Sequence, residues 1–111
     1  MRNIMYKLFL DDIRMPVGQG WHIVRNYNEF VDTINKYGLP VFISFDHDLS
    51  TEHYSNMPSV EKTGYDCAKF LVEYCMDNKK ELPDFYVHSM NPVGRANIKA
   101  LLDNAKKHLG I

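Results

Sequence analysis

Two absences restrict what this chain of 111 residues can be. It has no uninterrupted apolar run as long as a membrane span, so we expect a protein without transmembrane segments. Positive and negative side chains nearly cancel, and the formal net charge of -1 excludes broad adhesion to nucleic acid or to anionic membranes. A nucleic-acid end held in a small pocket is still compatible with this charge.

Cysteine is also scarce. Cys67 and Cys75 fall on one predicted helix, about 12 Å apart, which is too far for a disulfide within that helix. We expect reduced core thiols and, since the chain opens into a strand without a signal peptide, a cytoplasmic protein. The content of 45% hydrophobic and 24% charged residues argues against disorder, and the length predicts a single domain over residues 1–111.

Apolar segments alternate with amphipathic ones and predict an α/β fold. Segments rich in β-branched and aromatic residues predict four strands, at residues 5–10, 21–25, 41–45 and 84–89. Apolar residues at helical spacing predict three helices, which begin after caps at Asn28, Thr63 and Asn91. This order favours a parallel sheet with right-handed crossovers. The short connection between the first two strands leaves an antiparallel hairpin as the alternative.

Polar groups stand where three of these strands end: Asp11 and Asp12 after the first, Asp46, His47 and Asp48 after the third, and His88 and Ser89 at the end of the fourth. Because the carboxyl ends of parallel strands meet at one edge of a sheet, we expect these groups to share a crevice. The alternation of side chains along a strand places Asp46 and Asp48 on one side and His47 on the other. A polar segment from Leu49 to Lys62 follows, and its length is typical of a lid or binding loop.

Crowded carboxylates raise one another's pKa, so we expect a bound divalent cation with Asp11, Asp12 and Asp46 as its ligands. Carboxylates alone suit Mg²⁺ or Mn²⁺, whereas recruitment of a histidine would favour Mn²⁺, Fe²⁺ or Zn²⁺. His47 and His88 could equally exchange protons during a reaction, with Asp48 orienting one of them. The structural alternatives are that the acid pair caps a turn and that His47 fastens the loop after its strand.

The start of the final helix predicts an anion site. Its first-turn amides and the helix dipole favour phosphate, and four nearby polar side chains could add hydrogen bonds: Arg14, Ser89, Asn91 and Arg95. The structural alternatives are that Ser89 only caps the helix and that Arg95 is solvated. Trp21 and Tyr65 could stack on a base, although core packing is the commoner role of such residues.

Four motifs, in order, carry a family resemblance: LDDIRMP at residues 10–16, SFDHDL at 44–49, TGYD at 63–66 and HSMNPVGR at 88–95. Together they resemble cyclic-phosphate processing receiver-like domains, which are relatives of response-regulator receiver domains. The resemblance implies a receiver-like (flavodoxin-like) three-layer α/β sandwich, with a short, mostly parallel four-stranded sheet truncated relative to a full receiver. It also implies processing of cyclic phosphates, at RNA ends or in nucleotide signals, in RNA repair or in phage-host conflict.

One difference from an ordinary receiver argues against one of the possible functions. Lys62 precedes a helix and Lys99 lies within one, so neither matches the lysine that a receiver carries after a fifth strand. Aspartyl-phosphate signalling through Asp46 is therefore disfavoured. The expected function is a metal-dependent phosphoesterase that acts on a cyclic phosphate, a nucleotide or an RNA end. The alternative is a non-catalytic, degenerate receiver that binds a nucleotide or a partner protein.

Overall fold

The computed structural model of the protein describes residues 5–49 and 63–108. Its elements follow the predicted order: β1 (Lys7–Leu10), β2 (Trp21–Val24), α1 (Tyr27–Tyr37), β3 (Phe42–Phe45), α2 (Gly64–Asn78), β4 (Asp84–Val87) and α3 (Pro92–His108). Apart from Leu49, the segment interpreted as a lid lies outside the described residues. In the part of the chain that is described, no helix combines the length and apolar character needed to cross a membrane.

The sheet is parallel throughout, with the strand order β2-β1-β3-β4. The parallel orientation predicted for β2 is thus confirmed, and the hairpin alternative is excluded. Residues 11–20 connect β1 to β2 without a helix. Gly18 and Gly20 have φ values of 99° and 86°, which glycine adopts readily, and they let this short connection turn back to the start of the sheet.

Side-chain caps mark the residues at which the three helices begin. Asn26, not the predicted Asn28, caps α1, because its side chain accepts a hydrogen bond from the backbone N–H of Glu29 at 2.9 Å. The predicted caps at Thr63 and Asn91 are confirmed by side-chain hydrogen bonds from the first turns of α2 and α3. Side-chain capping satisfies amides that the helix itself leaves without partners.

All three helices pack on one face of the sheet. Buried residues of α1, α2 and α3 join one core cluster with alternate residues of the strands: Leu8, Leu10, Val24, Ile43, Phe45 and Val87. The crossovers from β2 to β3 and from β3 to β4 run in the same direction, so right-handed connections place α1 and α2 on the same face. Cys67 and Cys75 are free thiols in this core, as predicted.

The fold is therefore a truncated receiver-like α/β fold, as predicted. Of the three layers expected, the described residues supply two, because the connection from β1 to β2 contributes no helix to the second face. We call this second face of the sheet the open face. Its strand residues are those that alternate with the core positions: Lys7, Phe9, Trp21, Ile23, Phe42, Ser44, Asp84 and Tyr86.

Gly64, the first residue of α2, lies directly against the end of β3. Its backbone N–H donates a hydrogen bond to the carbonyl oxygen of His47 at 2.8 Å. A Cβ at this position would overlap the carbonyl oxygen of Asp46 and would approach the Cα of His47 to 3.0 Å. Since these are backbone atoms, they cannot move aside as a flexible side chain would. The absence of a side chain at Gly64 therefore sets how closely α2 approaches the residues that follow β3.

We expect Gly64→Ala to lower the free energy of unfolding by about 1–3 kcal/mol, the usual cost of overpacking. Urea denaturation of the two proteins measures the difference. Lys69→Ala, an exposed position on the same helix, is the matched control and should change stability by less than about 0.5 kcal/mol. Equal stability of Gly64→Ala and the wild type would show that the close approach is not required.

Candidate functional site

Three strand ends bring Asp11, Asp46 and His88 together. The hydrogen bonds of the sheet continue one residue past the strands. The N–H of Asp46 donates to the carbonyl oxygen of Leu10 at 3.0 Å, and the N–H of His88 donates to the carbonyl oxygen of Phe45 at 2.8 Å. By the alternation of the strands, all three side chains then lie on the side of the open face. One potential ligand atom from each lies within 4.8 Å of the others.

The ring of His88 reaches from the end of β4 across β3 to β1. Its Nε2 lies 2.9 Å from Oδ2 of Asp11, and its Nδ1 lies 2.6 Å from Oγ of Ser44. The ring stacks parallel on Phe9, with 4.8 Å between the ring centroids. An ionised carboxylate can only accept hydrogen bonds, so Nε2 carries the proton. Ser44 is small, and a bulky side chain at that position would block the path of the imidazole.

The two carboxylates in this cluster have opposite electrostatic environments. Burial by itself raises the pKa of Asp11, yet the pKa lies below its usual value because of the hydrogen bonds that the carboxylate accepts. The backbone N–H groups of Arg14 and Ile13 donate to Oδ1 at 2.8 and 2.9 Å, and His88 donates to Oδ2. Burial raises the pKa of Asp46, and the negative charge of Asp11 raises it further. Asp11 is therefore the fixed anion, and Asp46 is the acid that accepts a proton more easily.

A second network lies beside the start of α3. Nδ1 of His47 is 2.8 Å from Oδ1 of Asp48, and the side-chain amide of Asn91 donates to the same oxygen at 3.2 Å. The hydrogen bond with His47 is the main reason that the pKa of Asp48 is lowered. The ring of His47 packs so closely on Gly94 that a Cβ there would overlap it. His47 is thus held between Asp48 and the first turn of α3.

This second network corrects one expectation. The alternation of a strand was expected to separate His47 from Asp48, yet the two are hydrogen-bonded. The reason is that β3 ends at Phe45, so the period of two does not extend to Asp48. The predicted role of Asp48, orienting one of the histidines, corresponds to this bond, and the histidine is His47.

The four residues predicted to bind phosphate are placed around the start of α3 and after β1. Ser89 is buried, and its Oγ accepts a hydrogen bond from the N–H of Asn91 at 3.1 Å. The guanidinium of Arg95 donates to the carbonyl oxygen of Ser89 at 3.3 Å. Arg14 is exposed beside Asp11. Asn91 therefore caps the helix, Ser89 binds the N–H of this capping residue, and phosphate binding by these residues stays a prediction.

The donor set differs from the predicted one at one position. Among the described residues, the group that could hold a metal ion consists of Asp11, Asp46 and His88, with His88 in the place expected for Asp12. Asp12 lies near enough to contribute to the raised pKa of Asp46. Two carboxylates and an imidazole suit Mn²⁺, Fe²⁺ or Zn²⁺ better than Mg²⁺, which prefers oxygen ligands.

Ser44, Phe9 and Arg25 support the site, although the sequence pattern predicts a role for none of them. Ser44 and Phe9 hold the ring of His88, and the guanidinium of Arg25 donates to the carbonyl oxygens of Asp11 at 3.0 Å and Arg14 at 2.7 Å. Ser44 was detectable as a small polar residue within an apolar strand. Arg25 directly follows β2, just as Asp11 directly follows β1. Because these two strands are parallel and in register, Arg25 and Asp11 are neighbours, and a parallel pairing assumed from the sequence would have indicated this.

We expect Asp46→Asn to raise the midpoint of thermal unfolding by a few degrees at pH 7, because it removes a partly buried charge next to Asp11. The pKa of Asp46 is raised, so its ionised form opposes folding above that pKa, and the penalty vanishes once the carboxyl is protonated. The difference between the two proteins should therefore shrink as the pH falls towards 4. Thermal scans over this range measure it, with Asp77→Asn on the exposed end of α2 as the control. A lower midpoint for Asp46→Asn at pH 7 would contradict this account of the cluster.

Comparison with known proteins agrees with the motifs and the fold. No curated protein and no solved structure matches the chain. The profile of the cyclic-phosphate processing Receiver domain matches residues 6–104, which include all seven helices and strands except the last residues of α3. The match also contains every residue of the two networks described above. The chain therefore belongs to the family of cyclic-phosphate processing Receiver domains.

Proposed function

We propose that the protein is a metal-dependent phosphoesterase that hydrolyses a cyclic phosphate, either a 2′,3′-cyclic phosphate at an RNA end or a cyclic nucleotide. The observation that supports this most directly is the convergence of Asp11, Asp46 and His88 within 4.8 Å, in a chain of this family. Three potential metal ligands from three strand ends leave the remaining coordination positions for substrate and water.

The residues that would hold the metal are the two carboxylates and the imidazole, and the donor set favours Mn²⁺ over Mg²⁺. Such an ion would supply a Lewis acid to polarise a phosphoryl oxygen. In the structure, Nε2 of His88 bonds to Asp11 and Nδ1 to Ser44. The imidazole can become a ligand only by giving up one of these bonds, and use of Nε2 also requires that the ring carry its proton on Nδ1 instead.

Hydrolysis forms a bond from a water oxygen to phosphorus and breaks the bond from phosphorus to one ring oxygen. The proton lost by the water is balanced by the proton gained by the released hydroxyl, so a base and an acid are needed. We assign one of these transfers to His47 and the other to solvent, because an imidazole that holds the metal has no free lone pair for a proton. Asp48 holds Nδ1 of His47, which leaves Nε2 for exchange. The first-turn amides of α3, with Ser89, Asn91, Arg95 and Arg14, would hold the phosphate.

Purified protein should release a phosphomonoester from nucleoside 2′,3′-cyclic phosphates or cyclic dinucleotides, and Mn²⁺ should support the reaction better than Mg²⁺. We expect Asp46→Asn and His88→Ala each to lower kcat/KM by at least about 100-fold, the usual effect of removing a group that takes part in proton transfer or charge stabilisation. Chromatography of the products measures the rates. Asp77→Asn and His108→Ala, two exposed positions, are the matched controls. Full activity in either site variant would refute the assigned chemistry.

Mn²⁺ binding should weaken as the pH falls towards 4, because burial and the charge of Asp11 raise the pKa of Asp46 and a protonated carboxyl is a poor ligand. Calorimetric titration with Mn²⁺ at several pH values measures the affinity. In His88→Ala the affinity should be lower at every pH, because one of the three ligands is lost. Binding of Mn²⁺ that is independent of pH and of His88 would show that the ion sits elsewhere.

A second candidate function is nucleotide binding without turnover. It is favoured by the internal bonds of His88, which satisfy both ring nitrogens without a ligand. This function predicts stoichiometric binding of a cyclic nucleotide with no product after prolonged incubation with Mn²⁺.

A further inference from the structure

The open face carries a row of aromatic side chains that the core does not use. Trp21 of β2 and Phe42 of β3 flank Lys7 in the sheet register, and their ring centroids are 6.0 Å apart. In the next row, Phe9 lies two residues beyond Lys7, and Tyr86 at the edge of the sheet is 62% exposed. Among residues 5–49 and 63–108, the helices all pack on the opposite face.

These aromatic side chains are continuous with the candidate site. Phe9 stacks on His88 at 4.8 Å between centroids, and it contacts Trp21 edge-on at 5.6 Å. Phe9 is only 7% exposed, yet it is not part of the core cluster beneath the helices. A molecule bound at Asp11, Asp46 and His88 would therefore contact the aromatic rows if it extended over the open face.

The charged groups on this face disfavour an apolar partner. The ammonium of Lys7 is held 4.5 Å from the centroid of the Trp21 ring, and the exposed carboxylate of Asp84 lies next to Phe42 at the edge of the sheet. An apolar protein surface would have to desolvate both charges, and lysine and aspartate are depleted in protein interfaces. A polynucleotide instead offers a phosphate for the ammonium and flat bases for the rings. One class of RNA-binding domain stacks two or three bases of single-stranded RNA on the aromatic residues of a four-stranded sheet. Here Tyr86 is exposed, and Trp21 and Phe42 are half-buried.

We propose that the open face binds single-stranded RNA by stacking bases on Trp21, Phe42 and Tyr86, with Lys7 contacting the backbone. The 3′-terminal phosphate of this RNA lies at the Asp11, Asp46 and His88 cluster, and this last part rests on the proposed function. The substrate is thus an RNA end and not an isolated cyclic nucleotide. Since Lys7 is the one cation assigned to the RNA backbone, affinity comes mainly from stacking, and its dependence on salt is weaker than for a basic binding surface.

The single tryptophan of the chain makes the first test direct, because all tryptophan fluorescence comes from Trp21. A short oligoadenylate with an ordinary 3′-hydroxyl should quench this fluorescence in a saturable manner, while an abasic oligomer of the same length should not. Tyr86→Ala should weaken binding about tenfold, the usual effect of losing one stacking contact. Tyr37→Ala removes another exposed tyrosine, on α1, and should leave binding unchanged.

Absence of quenching, equal quenching by the abasic oligomer, or unchanged affinity of Tyr86→Ala would each overturn the proposal. Phe42→Ala is a second variant for the same test, with its folding checked by circular dichroism. Sedimentation of the wild type and of Tyr86→Ala tests whether a second copy of the chain, and not RNA, covers the open face. A dimer of the wild type that dissociates in Tyr86→Ala would assign the open face to a second copy of the chain and would also overturn the proposal.

Activity separates this proposal from the proposed function. Phe42→Ala, in the row farther from the cluster, should lower kcat/KM about tenfold for an oligoribonucleotide that ends in a 2′,3′-cyclic phosphate, and should lower it less for a mononucleoside cyclic phosphate, which is too short to reach that row. Hydrolysis of the mononucleoside without any RNA binding would preserve the proposed function and refute the stacking surface. Base-dependent RNA binding without hydrolysis of any cyclic phosphate would support the stacking surface and refute the chemistry.

Discussion

The hydrogen bond between Asp11 and His88 is the interaction on which the site depends. It joins the ends of β1 and β4 across β3, and it requires a small side chain at Ser44 so that the imidazole can cross the sheet. The same bond adds to the backbone hydrogen bonds from Arg14 and Ile13 that keep Asp11 ionised, while burial and the charge of Asp11 raise the pKa of Asp46. The contact thus sets the position of the imidazole and contributes to the difference between the two acids.

The sequence was sufficient for most features that depend on local chemistry, although α1 is capped by Asn26 and not by the predicted Asn28. Strand ends could be located because apolar runs stop at acids, and the caps at Thr63 and Asn91 follow from short-range hydrogen bonding. Features that depend on the three-dimensional neighbours of a residue could not be obtained in this way. His88, and not Asp12, joins Asp11 because the imidazole ring of His88 passes over Ser44. The bond between His47 and Asp48 depends on the residue at which β3 ends.

The polar residues that follow β3 belong to two separate networks. Asp46 lies with the acid of β1 and the imidazole of β4, whereas the next residue, His47, packs on the first turn of α3 and bonds to Asp48. Gly64 brings α2 against the backbone at this point, and Gly94 leaves room for the ring of His47. Two glycines on two helices therefore allow adjacent residues to serve different networks, which explains why a strand end with three polar residues does not form a single triad.

The residues joined by the bond between Asp11 and His88 are 77 positions apart in the chain. Contacts of such long sequence separation close large loops and tend to form late in folding. The cluster is consequently assembled only when β1, β3 and β4 are all in register, and a partly folded chain does not contain it. Any cation that requires all three side chains then binds the native state alone and shifts the folding equilibrium towards it by mass action.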